Sequence, residues 1–172
     1  ISKRANNGLY YEKNWKLLFE GIDHVLKSPP NKGEFYLTDA FQYMIDHGAK
    51  LQVVDVEGWY DAGQVETLLD TNRVMLEKGR ARKPAAAPGV TFIDPVYVED
   101  GVTLANATIG PNVSIGSGTT IEGAVISHSV IGHKSAIRHS SLEGSLVGDH
   151  AIVEHVRGTV SVGDHAVVHG KA

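Results

Sequence analysis

Two segments in the first half of the chain carry carboxylates at positions where they could do chemistry. The first runs from Lys32 to Gly48 and contains Glu34; the second runs from Gly58 to Leu76 and contains Asp61. Asp61 lies three residues before Gln64, at the head of a helical apolar pattern, so its carboxylate is either a helix cap or a metal ligand. Glu34 is either part of a binding site or a surface carboxylate at the end of a strand.

The elements that would position these carboxylates follow an α/β pattern. Thr38 is the expected N-cap of the second helix, and Gly48 is expected to end it. Two strands are too few for a complete sheet, so this half is predicted to be a partial, Rossmann-like α/β domain. The predicted elements are a strand at 7–11, helices at about 15–26 and 39–47, a strand at 51–56 and a helix at about 64–78.

The second half of the chain repeats itself every 15 or 16 residues. Each repeat opens on an apolar residue followed by glycine, as at Ile115, Ile131 and Val147. A unit this short cannot bury its own apolar face and becomes stable only when successive coils stack. The aliphatic anchors expected in the stacked core are Val98, Leu104, Ile109, Ile115, Ile121, Ile126, Ile131, Ile137, Leu142, Val147 and Val153.

A segment rich in Pro, Ala and Gly joins the two halves, from Gly79 to Gly89. Because it lacks periodicity, we predict a solvated linker, with a phosphate contact through Arg80, Arg82 and Lys83 as the alternative. The predicted organisation is a partial domain at 1–80, a linker at 81–90 and a stacked-coil domain at 91–172.

Composition excludes several classes of protein. The 172 residues contain no Cys, which excludes disulfide frameworks and thiolate metal sites. No apolar run approaches the ~20 residues of a transmembrane helix and no segment resembles a signal peptide, so we predict a soluble, cytoplasmic protein without membrane contact. The net charge of -4 falls in the repeat half, which argues against a nucleic-acid partner.

The repeats resemble the hexapeptide-repeat family, whose members form left-handed parallel β-helices. Aligning the repeats by their glycines places His150 over His165 and His139 over His155, in coils ~4.8 Å apart. We interpret these columns as solvated residues on a flat face. The alternatives are an intersubunit zinc site, as in carbonic anhydrases built on this fold, and the catalytic histidine of hexapeptide acyltransferases. Acyltransferases usually interrupt a coil with a long loop, and residues 109–168 show none.

The first half resembles the sugar-1-phosphate nucleotidylyltransferases, in particular the glucose-1-phosphate thymidylyltransferase type in its long form with a C-terminal β-helix. Those enzymes show G-E-x-x-[IL]-T-D, then W-x-D-x-G, then a helix rich in Leu and Asn. The matching residues here are Gly33, Glu34, Leu37, Thr38, Asp39, Trp59, Asp61, Gly63, Leu68, Leu69 and Asn72.

This resemblance implies a reaction in which a sugar 1-phosphate attacks the α-phosphorus of a nucleoside triphosphate and expels pyrophosphate. It implies that Asp61 is a ligand of the catalytic Mg²⁺. Lys32 would contact the sugar phosphate as a point charge, without the bidentate fork of the arginine usual at that position. Asn6, Tyr10 and Glu34 would belong to the sugar pocket.

The chain departs from the family in what it lacks. The Gly-rich loop that holds the triphosphate, the first Mg²⁺-binding Asp and the E-K-P segment are not found in these residues. We therefore expect a C-terminal fragment of such an enzyme, itself inactive, that forms a homo-oligomer through the β-helix. The alternatives are a hexapeptide acyltransferase and a non-enzymatic oligomerisation module.

Overall fold

The chain divides into two compact units, Ile1–Trp59 and Tyr60–Ala172. The computed structural model describes residues 7–85 and 88–171. The second unit begins well before the repeats, so the helix predicted at 64–78 lies in the same unit as the stacked coils. The linker at 81–90 stays a prediction about domain organisation.

The first unit is built on two helices, α1 (Trp15–Lys27) and α2 (Leu37–Asp46). They pack closely where α1 carries Gly21: a Cβ at this position would meet the carbonyl oxygen of Ala40 at 2.9 Å. The absence of a side chain at Gly21 therefore sets the spacing of the two helices. No helix in the described part of the chain is long and apolar enough to cross a membrane.

Neither of the segments predicted as strands in the first unit forms one. Residues 7–11 and 51–56 have no strand partner among the described residues, and Val53 and Val54 expose 67% and 77% of their surface. A strand needs a neighbouring strand for its N–H and C=O groups, and the described residues of the first unit supply no sheet. The predicted cap at Thr38 is also wrong, because the extended Tyr36 precedes the helix and Thr38 is already its second residue.

The second unit begins with a helix that leads into the repeats. α3 is Val65–Met75, and a short π-helical turn, Leu76–Arg80, follows it. Leu76 is buried at 4% exposure. Fifteen short strands follow: β1 (Val90–Phe92), β2 (Val96–Val98), β3 (Thr103–Ala105), β4 (Ala107–Ile109), β5 (Val113–Ile115), β6 (Thr120–Glu122), β7 (Val125–Ser127), β8 (Val130–Ile131), β9 (Ala136–Arg138), β10 (Ser141–Glu143), β11 (Leu146–Val147), β12 (Ile152–Glu154), β13 (Arg157–Gly158), β14 (Ser161–Val162) and β15 (Val167–His169).

These strands form a parallel β-helix of five coils, with three strands in each coil. Strands of successive coils pair in parallel and build three five-stranded sheets, β1-β4-β7-β10-β13, β2-β5-β8-β11-β14 and β3-β6-β9-β12-β15. The predicted anchors form the core as columns across these sheets, and only Leu104 is partly rather than fully buried. The columns are Val98–Ile115–Ile131–Val147, Leu104–Ile121–Ile137–Val153 and Ile109–Ile126–Leu142.

Buried hydroxyls at the corners tie each coil to the next, and we call these bonds the corner relay. Thr119 Oγ1 accepts the N–H of Ser135 at 3.1 Å, and Ser135 Oγ accepts the N–H of Ala151 at 3.1 Å. Ala151 has no hydroxyl to continue the series, and the N–H of Ala166 bonds instead within its own turn, to Gly163 O at 3.4 Å. The same relay joins Ser129 to Ser145, Ser145 to Val160 and Ser140 to Val156.

The described residues of the segment just before the coils are exposed, as in a solvated linker, and Arg82 also pairs with the first coil through its backbone. The N–H of Arg82 donates to Val96 O at 2.8 Å, and Arg82 O accepts from the N–H of Val98 at 2.7 Å. The side chain of Arg82 pairs with Asp100, and the side chains of Lys83 and Asp94 pair at 2.5 Å. These cations are already neutralised within the second unit, so the structure gives no support to a phosphate contact here.

Candidate functional site

The loop that carries Asp61 is held by hydrogen bonds on both its side chain and its backbone. Asp61 Oδ1 accepts the N–H of Gly63 at 3.0 Å, which folds the loop into a tight turn. The backbone oxygen of Asp61 accepts the hydroxyl of Thr71, from the second turn of α3, at 2.8 Å. The loop is therefore anchored to the helix that follows it.

Asp61 is not the cap of α3, which corrects the helix-cap interpretation. The extended Gln64 precedes the helix, and Thr67 Oγ1 accepts its N–H at 3.2 Å. Asp61 Oδ2 accepts no hydrogen bond from any residue that the structure describes, and the side chain is exposed. A fixed carboxylate with one oxygen available fits Mg²⁺, which takes one or two carboxylates together with phosphate oxygens and water.

Lys32 and Glu34 come together in a tight turn just before α2. Lys32 and Gly33 occupy its centre with φ of 53° and 88°. Asn31 and Glu34 close it with two backbone hydrogen bonds, Asn31 N to Glu34 O at 2.9 Å and Glu34 N to Asn31 O at 3.1 Å. Positive φ at both central residues is typical of a hairpin turn of type I′, which explains the glycine after Lys32. The turn presents the Lys32 ammonium group to solvent.

A cavity of about 320 Å³ lies beside this turn, within the first unit. Its lining residues include the acidic residues Glu34, Asp39 and Asp46, together with His24 and Tyr43. Lys32 is not among its lining residues. A wall with three carboxylates repels a phosphate, so the cavity favours the hydroxyls of a ligand or a cation over an anionic group.

Of the other two predicted sugar-pocket residues, the structure describes Tyr10 but not Asn6. The ring of Tyr10 contacts the ring of Phe41 in α2, with centroids 4.7 Å apart and planes tilted by 52°. Asn6 lies outside the described residues. Tyr10, Lys32 and Glu34 belong to the first unit and Asp61 to the second.

The predicted histidine columns are confirmed. The rings of His139 and His155 stack with centroids 5.3 Å apart, and those of His150 and His165 with centroids 4.9 Å apart. All four residues have positive φ, between 48° and 59°. The sequence carried an unused signal for this conformation, because the repeat alignment sets these histidines in register with Gly118 and Gly123 of the earlier coils, which also have positive φ.

A second set of charged residues forms a ladder on the outside of the β-helix. His133 lies between two carboxylates, with Nε2 3.4 Å from Glu99 Oε2 and Nδ1 3.1 Å from Asp149 Oδ1. The backbone N–H and the ring of His133 lower the pKa of Asp149, and the hydrogen bond from Arg138 at 2.6 Å lowers the pKa of Glu154. Among residues 7–85 and 88–171, no three His, Asp or Glu side chains of one chain gather as metal ligands would, and the intersubunit zinc alternative stays a prediction.

One residue was matched in the sequence only as part of a motif and turns out to carry a specific contact. Asn72 of α3 bonds the β-helix through both ends of its side-chain amide, to Asn112 and Ser114. Asparagine is a poor helix former, so its presence in a helix interior was a signal that the side chain is needed for something else.

No protein-family model matches the chain, but several known proteins are similar to it in sequence. A glucose-1-phosphate thymidylyltransferase of Streptomyces antibioticus is 30% identical over 140 residues, which cover 70% of this chain and 39% of the relative. The bifunctional protein GlmU of Alkaliphilus metalliredigens is 30% identical over 188 residues, covering 96% of this chain and 40% of the relative. A low-salt glycan biosynthesis nucleotidyltransferase of Haloferax volcanii is 28% identical over 158 residues, covering 76% of this chain and 42% of the relative. The chain spans about two fifths of the length of these curated relatives.

Proposed function

Sequence similarity over 70% to 96% of the chain relates it to the sugar-phosphate nucleotidyltransferases, and from this premise we propose that it forms the C-terminal part of a sugar-1-phosphate nucleotidylyltransferase. The complete enzyme would join a nucleoside triphosphate to a sugar 1-phosphate and release pyrophosphate. The sugar phosphate oxygen attacks the α-phosphorus, and the bond to the β-phosphate oxygen breaks. Little covalent chemistry is required of the protein, so its contribution is positioning and neutralisation of charge.

The observation that carries this proposal is the state of Asp61. Its loop is fixed by Gly63 and Thr71, and its Oδ2 is left available among the described contacts. We propose that this oxygen holds a Mg²⁺ ion, which when bound would neutralise the phosphate charge that builds up during transfer. The hydrogen bond from the Gly63 N–H fixes the plane of the carboxylate and thereby the direction in which Oδ2 points.

The remaining site residues have roles consistent with their surroundings. Lys32 stands at the tip of an exposed turn, where its ammonium group can meet a phosphate oxygen as a point charge. Glu34 lines a cavity with acceptor groups suited to sugar hydroxyls. The ring of Tyr10 contacts Phe41, and an aromatic ring is a group that can pack against a hexose. The role of Asn6, which lies outside the described residues, stays a prediction from the sequence.

We further propose that the chain alone does not catalyse the reaction. The sequence contains no Gly-rich loop for a triphosphate, and residues 51–56 expose an alternating apolar segment that has the pattern of a strand without its sheet. Partner strands in the rest of such an enzyme would cover this segment. Self-association through the β-helix, a cytoplasmic location and the absence of a nucleic-acid partner stay predictions from the sequence.

The test uses the protein expressed from the complete reading frame that encodes this chain. Pyrophosphate release is measured with Mg²⁺, a panel of sugar 1-phosphates and each nucleoside triphosphate. Asp61→Asn keeps the hydrogen bond to Gly63 but weakens the metal ligand, and is expected to lower kcat about 100-fold or more. The matched control is Glu66→Gln, an exposed carboxylate in the first turn of α3, which is expected to leave kcat within about twofold.

Two outcomes would contradict the proposal. Undiminished turnover in the Asp61→Asn variant would remove Asp61 from the reaction, and a complete protein that releases pyrophosphate with none of the substrates would reject the reaction class. The inactivity of the chain is checked separately, by the same assay on the 172 residues alone. Turnover comparable to that of the complete protein would show that no further segment is needed.

A further inference from the structure

We propose that Asn72 is a positioning residue that mounts the Asp61 loop on the β-helix. This inference rests on the proposed function of Asp61 as a metal ligand. It gives the β-helix a role in the reaction that its stacked coils alone would not suggest: the coils hold the metal-binding carboxylate in position.

The contact begins at the corner between β4 and β5, in the second coil of the β-helix. The side-chain amide of Asn72 donates from Nδ2 to the backbone oxygen of Asn112 at 3.2 Å, and its Oδ1 accepts the hydroxyl of Ser114 at 2.5 Å. Asn112 ends a corner and Ser114 lies in β5, on the outer face of its sheet. Because both ends of one planar amide are engaged, the contact fixes the rotation of α3 about its axis as well as its distance from the coils.

The contact continues from α3 to the Asp61 loop. Thr71, the residue before Asn72, donates its hydroxyl to the backbone oxygen of Asp61 at 2.8 Å. Further along, Lys78 donates to the hydroxyl of Tyr60 at 2.5 Å, beside Asp61 in the chain. A helix transmits a rotation over its length as a rigid body, so a shift at Asn72 moves the contact that Thr71 makes with Asp61.

The end of α3 is secured by packing, and within the described part of the chain Asn72 makes the side-chain hydrogen bonds between this helix and the coils. Leu76 is buried at 4% exposure at the start of the π-helical turn, and Arg82 then joins the edge of β2. Burial of Leu76 holds α3 against the coils without direction, because apolar contacts tolerate sliding and rotation. The hydrogen bonds of the Asn72 amide set the orientation of α3 on the coils.

A structural role of the ordinary kind and the proposed positioning role make opposite predictions for Asn72→Ala. Alanine is the better helix former, so α3 itself should lose nothing in its intrinsic stability. The Asp61 loop, by contrast, should become less ordered. Hydrogen exchange resolves the two, because the Gly63 N–H reports on the loop through its bond to Asp61 Oδ1.

The experiment compares backbone hydrogen exchange by NMR in the 172-residue chain and four variants. Asn72→Ala, Ser114→Ala and Thr71→Val each remove one link, and exchange at Gly63 is expected to rise about three- to tenfold in each. Ser161→Ala is the matched control, since Ser161 lies on the same outer column as Ser114 in the last coil. Unchanged exchange at Gly63 in Asn72→Ala, or a rise there no larger than in the amides of β10 and β11, would overturn the proposal.

A second measurement separates this proposal from the proposed function. Mn²⁺ stands in for Mg²⁺ as a paramagnetic probe, and broadening of the Ala62 and Gly63 amide signals is followed as Mn²⁺ is added. Asp61→Asn should abolish the broadening, and Asn72→Ala should raise the Mn²⁺ concentration at half-broadening about tenfold. Broadening that survives Asp61→Asn rejects the metal role of Asp61. Normal Mn²⁺ response in Asn72→Ala, with Asp61 confirmed as the ligand, rejects the positioning role of Asn72.

Discussion

Replacing Ser135 with alanine would break the corner relay at a buried point. Ser135 is 2% exposed; its hydroxyl accepts the N–H of Ala151 at 3.1 Å and donates to Gly148 O at 2.8 Å. Ala151 is 0% exposed, so its N–H would lose its bond with no access to water. An orphaned buried donor costs about 1–3 kcal/mol, and the lost bond to Gly148 adds about 1 kcal/mol. We therefore expect Ser135→Ala to lower the free energy of unfolding by about 2–4 kcal/mol.

The assay is urea denaturation of the 172-residue chain, followed by far-UV circular dichroism. Ser141→Ala is the matched control, because it removes the same hydroxyl group from the exposed face of β10. Its free energy of unfolding should stay within about 0.5 kcal/mol of that of the unchanged chain. Ser135→Thr keeps the hydroxyl, and Thr119 already fills the equivalent corner one coil earlier, so this variant should recover most of the loss. If Ser135→Ala costs no more than Ser141→Ala, the corner amides do not depend on the hydroxyls and the reasoning is wrong.

Two further predictions concern the corners and the outer ladder. Gly123 has φ of 58°, and a Cβ there would lie 2.8 Å from His139 Nδ1, so Gly123→Ala should cost about 1–2 kcal/mol in urea denaturation. Gly163→Ala meets nothing within 4 Å and should be nearly neutral; equal costs would refute the steric argument. Asp149 and Glu154 have pKa values lowered from 3.8 and 4.5 in the folded chain. Their contribution to stability is complete above a pH of about 4.5 and is lost as the pH falls through the lowered values. In the double variant Asp149→Asn and Glu154→Gln, the free energy of unfolding should fall less steeply as the pH is lowered. An unchanged fall would show that other groups cause it.

The β-helix could be predicted from the sequence almost completely. Its anchors recur at a fixed period, and a residue such as Ile121 or Ile137 has one way to be buried once the coils stack. The stacking of His150 on His165 followed from the same alignment. Their positive φ was not predicted, although the glycines in register with them have positive φ and histidine is itself enriched among the non-glycine residues that adopt it.

The first half could be predicted only in its helices. The apolar period fixed α1 and α2, since a helix satisfies its own backbone hydrogen bonds. The strands at 7–11 and 51–56 depend on partners, and an alternating pattern cannot say whether those partners are present. The attachment of α3 to the coils was not predicted for a similar reason: it rests on the amide of Asn72 together with the burial of Leu76, and neither residue alters the periodic pattern of the helix.

The direction of the corner relay sets the order in which the coils come apart. Each hydroxyl accepts the N–H of the following coil. When the last coil separates, the hydroxyl that loses its partner becomes accessible to water. When an earlier coil separates, the coil after it keeps a buried N–H without an acceptor, which is costly. We therefore expect separation to begin at the last described coil rather than at the first. The relay has ended at one corner of that coil, at Ala151, while Ser140 and Ser145 still bond its other two corners. The first coils are where Asn72 is fastened, through Asn112 and Ser114. The last coils can therefore separate while α3 and the Asp61 loop stay bound to the first coils.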